Sequence, residues 1–400
     1  MVDDSFLAWP FFDDEHRNAA RSLEHWLPKA LPSLLEGVLG ESDDVYASVT
    51  RLVRGLGQAG WLRACVPAAY GGSRDKLDVR SLCIEREILA RTSAIADFAF
   101  AMQGLGSVPV SLFGHDQQKK SILPGIVAGT VIGAFALSEP NAGSDVAAIA
   151  TTATRDGDGW VLDGTKTWIS NAGLADYYIV FARTGEALGT KGLSAFIVDS
   201  DAPGLDATER IEVMAPHPLG TLRFSGCRVG DDQMLGHSGD GFKIAMTTLD
   251  IFRATVGAAG LGLARRAFDE ATMWAMKRHL FGRALSDFQL TQAKLADMAV
   301  AIDASALLVY RAAWTKDVLG KRVTRESSIA KLFATESAQK VIDEAVQIHG
   351  GVGVVRGSTV ERLYREIRAL RIYEGASEVL KLVIGSNVVT SANRSGSSHP

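Results

Sequence analysis

The stretch from Ala134 to Gly173, AFALSEPNAGSDVAAIATTATRDGDGWVLDGTKTWISNAG, marks a change in the texture of the chain. Before it, from about Asp13 to Gly129, apolar residues recur at helical spacing, broken by the turn signals VPAAYGGSRDK and FGHD. Within and after it, up to about Gly241, glycine and threonine become frequent and short β-rich runs stand between turns such as RDGDGW and DAPG. Tyr177–Ala182, Leu193–Asp199 and Thr221–Val229 are runs of this kind.

Beyond Gly241 the pattern is helical again. Leu261, Ala264, Phe268, Ala271 and Ala275 share one helical face. Leu295, Met298, Ile302, Ser305 and Val309 follow a seven-residue repeat, which predicts a helix packed along its length against another. The order is therefore helices, a small β domain, then helices. The tail SANRSGSSHP, Ser391–Pro400, has nothing with which to pack and is expected to be disordered.

Composition narrows the function classes. The chain has 400 residues, 47% hydrophobic and 22% charged, enough for a large core and more than one compact domain. A net charge of −4 and a pI near 6.1 give no broad electrostatic reason for nucleic-acid binding. Cys65, Cys83 and Cys227 lie far apart, which excludes a disulfide framework and suits a reducing compartment. The N-terminal MVDDSFLAWPFFDDEHR is acidic where a targeting signal would be basic. The apolar run Val127–Leu137 is too short for a membrane span, so a soluble cytoplasmic protein without membrane insertion is expected.

Two familiar patterns do not carry function. GLGQAG, Gly55–Gly60, matches the dinucleotide fingerprint G-x-G-x-x-G, but a helical YASVTRLVR precedes it and no helix start follows, so it reads as a helix-ending turn. The eight histidines are scattered without metal-ligand spacing, and no G-x-S-x-G elbow occurs.

Four other stretches point to chemistry. In Ala134–Gly173, Ser138, Ser144 and Ser170 lie in loops around Trp168; hydroxyls and backbone N–H groups there suit a polar heterocycle whose flat face an indole covers, as in a flavin, though a plain β domain would also explain the pattern. In AVQIHGGVGVVRG, Ala345–Gly357, dense glycines let backbone approach a pyrophosphate, or simply end a helix. In MKRHLFGRALSDFQ, Met276–Gln289, Arg278, Arg283 and Phe281 offer phosphate and ring contacts, or only a solvated basic turn. Finally, RALRIYEGASEVLK, Arg368–Lys381, places Glu374 between an aromatic residue and a helix-breaking glycine.

Taken together, these stretches resemble the acyl-CoA dehydrogenase family from about residue 10 to residue 390. LSEPNAGSD is similar to its T/S-E-P-x-A-G-S-D signature, GTKTWISNAG and QIHGGVG to its second and third flavin-contacting segments, and RIYEGASE to the segment bearing the catalytic base. The resemblance implies an α+β, mainly α fold: an N-terminal helical domain (1–130), a central β barrel or sandwich (131–240) and a C-terminal four-helix bundle (241–390).

It also implies FAD as cofactor and Glu374 as the base. Glu374 would take the α proton of an acyl-CoA thioester while hydride leaves the β carbon for flavin N5, giving a trans-2-enoyl thioester. Burial at a helix joint would raise its pKa toward neutrality. The N–H of Glu374 would help polarise the thioester carbonyl. Ser138 matches the contact to the flavin pyrimidine edge, with Phe135, Leu137 and Gly143 beside it; Trp168 and Ser170 match the residues near the ring and N5. Arg278, Phe281 and Gln289, with Gln347, Gly350 and Gly351, match adenosine and pyrophosphate contacts that come from a neighbouring subunit in the family. Ser144, Asp250, Arg253 and Gly375 match substrate contacts. A homotetramer and an electron-transferring flavoprotein as acceptor are implied likewise.

Two positions depart from the family pattern. Ala376 stands where many members have threonine, and Phe252 occupies the alternative base position, which leaves Glu374 without a rival. Residues 96–106 with Phe252 would line the acyl pocket, where Phe98, Phe100 and Met102 set its size; the lack of a cation among 95–106 disfavours a dicarboxylic acyl group. A carrier-protein thioester, an oxygen-using flavoenzyme and a silent flavoprotein scaffold stay open as alternatives.

Overall fold

The computed structural model of the chain describes residues 5–35, 44–185, 187 and 189–396. Its first helices are α1 (Asp14–Leu34), α2 (Val45–Gln58), α3 (Val79–Thr92), α4 (Ala94–Phe113) and α5 (Asp116–Ala128). Their ends are written into the sequence. Asp44 caps α2 through Tyr46 N, Asp78 caps α3 through Ser81 N, and His115 with Gln118 forms a capping box on α5. The GLGQAG stretch falls at the end of α2, as its flanks indicate. Gly55 and Gly57 are helical, and Gly60 takes φ +84° just beyond. A Cβ at Gly57 would meet Ala128 O at 2.4 Å, so this glycine serves close packing on α5.

The β region follows as β1 (Gly133–Ala136), β2 (Thr152–Asp156), β3 (Gly159–Ser170), β4 (Tyr177–Arg183), β5 (Leu193–Asp199), β6 (Leu205–Arg210), β7 (Leu219–Gly230) and β8 (Met234–Leu235). Among the described residues they form one sheet in the order β6-β7-β3-β2-β4-β5-β8, with β1 joined parallel to β4. The pairing is otherwise mostly antiparallel. β4 and β5 run in register from Tyr177↔Asp199 to Arg183↔Leu193, and both are buried along almost their whole length. The ladder of β3 on β7 slips between Lys166 and Ile169.

Helices resume with α6 (Gly241–Lys277), then a small hairpin of β9 (His279–Leu280) and β10 (Arg283–Ala284), then α7 (Gln289–Asp317), α8 (Thr324–His349), α9 (Thr359–Leu370) and α10 (Ser377–Gly396). α8 packs on α7, α9 and α10. On α7 the seven-residue pattern is the buried one, with Met298, Ile302, Ser305 and Val309 inside. α6 differs from its reading as a one-faced helix. From Asp250 to Arg265 it is buried on every side. Its small residues allow this: a Cβ at Gly262 would meet Glu87 O of α3 at 2.2 Å.

α4 and α6 are both long and apolar enough to cross a membrane by length and composition, although polar residues interrupt their apolar stretches. Nearly nine-tenths of each candidate window is buried inside the protein, the mark of a core helix. The tail also departs from expectation. α10 continues to Gly396, so Ser391–Gly396 is helical; residues 397–400 lie outside the described residues. The side-chain bonds Asn387 Nδ2→Val383 O and Ser391 Oγ→Asn387 O lie along this last stretch.

The chain divides into two compact units, each discontinuous in sequence. One comprises Met1–Leu27, Asp78–Asp97 and Asp250–Pro400, the other Pro28–Leu77 and Phe98–Leu249.

Candidate active site

In the first unit, α9 ends at Leu370 and α10 starts at Ser377, and Glu374 lies in the turn between them. Glu374 has φ +53° and Gly375 φ +105°, two consecutive residues in the left-handed region. Only the second is a glycine, so the turn holds Glu374 in a conformation it disfavours. Lys331 of α8 donates from Nζ to Gly375 O at 2.7 Å, and Arg253 of α6 donates from Nε to Glu374 O at 3.5 Å. Arg371 and Ser377, on either side of the turn, both bind the Glu336 carboxylate.

The Glu374 carboxylate itself is different: its Oε2 is buried and has no hydrogen-bond partner among the described residues. Burial raises its pKa above the ordinary glutamate value, and the cations of Arg86, Lys331 and Arg253 pull part of that back. Each of these cations is itself secured. Arg86 forms a two-pronged ion pair with Asp97, 2.8 Å on both sides, and donates to Thr255 at 2.9 Å. Arg253 pairs with Asp250 at 3.0 Å, and Asp250 also accepts from Thr324. Lys331 is fully buried, and burial pushes its ammonium down to about 8.

In the second unit, β1 leads into the LSEP segment. Glu139 accepts from Ala150 N at 2.7 Å, Thr151 N at 3.0 Å and Lys166 Nζ at 2.7 Å, while Lys166 also donates to Leu137 O. Thr167 N donates to Ser138 O at 3.0 Å. These bonds fix the loop after β1 against β3. At the slip in β3, Trp168 takes φ +59° and is left 59% exposed. A tryptophan held in such a strained bulge presents a flat apolar face to solvent. Beyond it, Ser170 Oγ lies 2.9 Å from His217 Nε2, and the imidazole packs on Phe98 with ring centroids 4.0 Å apart. Burial lowers the His217 pKa to about 4, so the ring is neutral at physiological pH.

A third feature lies again in the first unit. Arg278, Gln347, Gly350 and Gly351 line a cleft of about 740 Å³, with Trp274 and His349 stacked 5.0 Å apart on its wall. Gly350 sits at φ +62°, ψ −139°, which a side chain would strain, and a Cβ at Gly350 or Gly351 would meet open space. The glycines thus expose backbone toward the cleft rather than toward a neighbouring element.

Sequence profiles for three consecutive domains match the chain: acyl-CoA dehydrogenase, N-terminal domain over residues 13–130, middle domain over 134–227, and C-terminal domain over 239–389. The chain belongs to the acyl-CoA dehydrogenase family. It is thus an enzyme, an oxidoreductase, with the family's helical, β and helical domains in sequence. Among its relatives, the 3-(aryl)acrylate reductase of Clostridium sporogenes is 37% identical over 95% of this chain and 100% of that protein. The mitochondrial short-chain specific acyl-CoA dehydrogenase of Homo sapiens is 41% identical over 85% of this chain and 82% of that one. Butyryl-CoA dehydrogenase from Megasphaera elsdenii has a similar structure, with TM-score 0.87, 35% identity and coverage of 94% and 99% of the two chains. A chain from work on the electron transferring flavoprotein of Acidaminococcus fermentans gives TM-score 0.87 at 34% identity, covering 94% and 98%. An acyl-CoA dehydrogenase complexed with FAD from Bacillus anthracis gives TM-score 0.87 at 31% identity, covering 99% of this chain and 72% of that one.

The residues singled out from the acyl-CoA dehydrogenase signatures fall into three groups. Glu374, Gly375, Asp250 and Arg253 belong to the turn and the buried charges around it. Ser138, Trp168 and Ser170 belong to the β1–β3 surface; Phe135 and Leu137 are buried there, Phe135 against Phe181 at 4.9 Å. Gly143 and Ser144 are exposed in the loop before Asp145. Arg278, Gln347, Gly350 and Gly351 meet in the cleft, whereas Phe281, 94% exposed, and Gln289 do not line it. Lys331, the Arg86–Asp97 pair and His217 were missed. The absence of a cation within 95–106 is also a weaker guide than it looked, because Arg86 on α3 reaches Asp97 from outside that window.

Proposed function

We propose that this enzyme is an FAD-dependent acyl-CoA dehydrogenase that converts a short acyl-CoA thioester to its trans-2-enoyl form, with Glu374 as the base. The observation that carries the reading is the Glu374 carboxylate: a desolvated oxygen without a protein partner among the described residues, on a strained turn with the charges of Arg86, Lys331 and Arg253 close by. An acid group left unpaired at that expense is available to a substrate proton. The short-chain and butyryl-CoA names among the relatives support the substrate class.

In this account Glu374 removes the α proton and keeps it. Its own N–H polarises the thioester carbonyl, and Gly375 gives the substrate close access to the backbone. Ser144, Asp250 and Arg253 bind or frame the CoA thioester. The exposed indole of Trp168 and the open Gly350–Gly351 backbone suit a flat heterocycle and a pyrophosphate, and the FAD complex of the relative agrees with them. Ser138, Trp168 and Ser170, with Phe135, Leu137 and Gly143, would hold the ring system. Arg278, Phe281, Gln289, Gln347, Gly350 and Gly351 would hold the adenosine and phosphates. Bound FAD would supply the two-electron acceptor, taking the hydride from the β carbon at N5.

We further infer a cytoplasmic homotetramer that passes electrons to an electron-transferring flavoprotein. Three buried free cysteines favour a reducing compartment. The relation to the A. fermentans chain favours the acceptor. A second reading rests on the aryl-acrylate reductase relative: the same groups working in reverse, with a protonated Glu374 giving its proton to the α carbon of an aryl acrylate while bound reduced FAD would supply the hydride to the β carbon. Anaerobic mixing of the FAD-loaded protein with butyryl-CoA or 3-phenylpropionyl-CoA tests both. Flavin bleaching by the first supports the short-chain reading, and by the second alone the aryl one.

A further inference from the structure

Lys331 has no part in the roles assigned above, yet it is one of the most completely buried charged residues of the chain. It stands in SSIAKLFA on α8, where Ser327, Ser328, Ala330, Ala334 and Thr335 are also buried. A lysine so placed needs a reason, since burying an unpaired ammonium is costly. No carboxylate lies within ion-pair distance of its Nζ among the interactions described; its hydrogen bond goes instead to Gly375 O, 2.7 Å away. That carbonyl belongs to the turn in which Glu374 and Gly375 both have positive φ.

Resting on the assignment of Glu374 as base, we propose that Lys331 is a positioning residue: its buried ammonium anchors the turn that carries the base and supplies positive charge facing the carboxylate. The two effects have separate physical origins. The hydrogen bond offsets the strain of the left-handed pair and keeps the turn in one conformation. The charge acts through a dry interior, where screening is weak, and favours the ionised form of Glu374.

The neighbours of both groups are accounted for. Glu374 is faced by Arg86 on α3, Asp97 on α4, Arg253 on α6 and Lys331 on α8, with the phenol of Tyr373 beside it in the turn. Lys331 is faced by Glu374, Arg253, Glu336 and Arg371. Arg86 and Arg253 each have an aspartate close by, Asp97 and Asp250, which offsets much of their field at the carboxylate. Glu336 is taken up by Arg371 and Ser377. Lys331 is therefore the cation on this side without a carboxylate of its own. Being charged below about 8, it withdraws support from Glu374 only in alkaline solution.

The test uses the FAD-loaded protein with Lys331→Met, Lys331→Gln and Lys331→Arg. Infrared difference titration, taken against Glu374→Gln, isolates the Glu374 carboxyl without any substrate. Loss of the charge should move its midpoint up by about one pH unit in Lys331→Met and Lys331→Gln, and Lys331→Arg should restore it. Bleaching by butyryl-CoA should fall about tenfold at a pH below the wild-type midpoint and recover as pH rises. A purely structural loss would lower the rate equally at every pH. If Lys331→Met does not fold, Lys331→Gln, which keeps a donor for Gly375 O, carries the comparison. An unmoved midpoint in folded, flavin-loaded Lys331→Gln overturns the proposal. Unimpaired bleaching in Glu374→Gln would instead overturn the assignment of the base.

Discussion

Glu374 is held where a glutamate would not choose to be. A non-glycine residue in the left-handed region costs about 1–2 kcal/mol, and its carboxylate gives up water without gaining a protein hydrogen bond. A group whose folded pKa is raised binds protons more readily in the native than in the unfolded state. It therefore contributes stability at low pH that is lost as pH rises through the folded pKa. Glu374→Gln removes that loss, so the variant should melt higher than wild type at pH 7.5 and the gap should narrow by pH 5. Thermal unfolding at the two pH values checks it; a variant that melts lower at pH 7.5 would contradict the raised pKa. As a base, the same group works only when ionised, so substrate-driven flavin reduction should rise with pH through its midpoint. At this scale the sequence was informative where a motif surrounds the residue, as Y-E-G does for Glu374. Lys331 and the Arg86–Asp97 pair carry no motif. A lone cation inside the apolar run SSIAKLFA was the available signal, but helical periodicity alone does not separate a buried cation from one on a solvated face.

Among the elements, the junction of β1 with β3 decides how the β region presents its surface. The Lys166–Glu139 pair is buried, and two backbone N–H groups also point at the carboxylate. Burial pushes the Lys166 ammonium down to about 8, and the same pair holds the Glu139 carboxyl below its ordinary value. Glu139→Ala would strand a buried cation and free two amides, a loss of about 3–5 kcal/mol. Urea unfolding followed by tryptophan fluorescence measures it. A change under 1 kcal/mol would show that water repairs the gap. The strands themselves were readable: β5 runs over the very residues Leu193–Asp199 that the β-rich pattern marks, because alternation and flanking turns agree there. The bulge that exposes Trp168 was not, since register slips depend on the partner strand β7. α6 was misjudged for a related reason. A helix rich in glycine and alanine shows no polar face when it is enclosed on all sides, and its burial is a property of its neighbours.

At the scale of the whole molecule, Leu290, Val300 and Leu307 on α7, and Leu382, Val388 and Val389 on α10, are exposed apolar residues on the C-terminal helices. Side chains of this kind in such number suit contacts between subunits. Sedimentation should give a mass about four times that of the 42.7 kDa chain, and Val300→Glu should shift it toward smaller species; a monomeric wild type that retains FAD would contradict the assembly. Loading with FAD should raise the melting temperature by mass action, since the unfolded chain offers no cleft. The most direct test of the central claim is an anaerobic stopped-flow record of flavin absorbance when the FAD-loaded protein meets butyryl-CoA, in wild type and Glu374→Gln side by side. The account predicts rapid bleaching in wild type and a rate lower by roughly 10²–10⁴ in the variant with FAD still bound. Equal bleaching in the two proteins would contradict it.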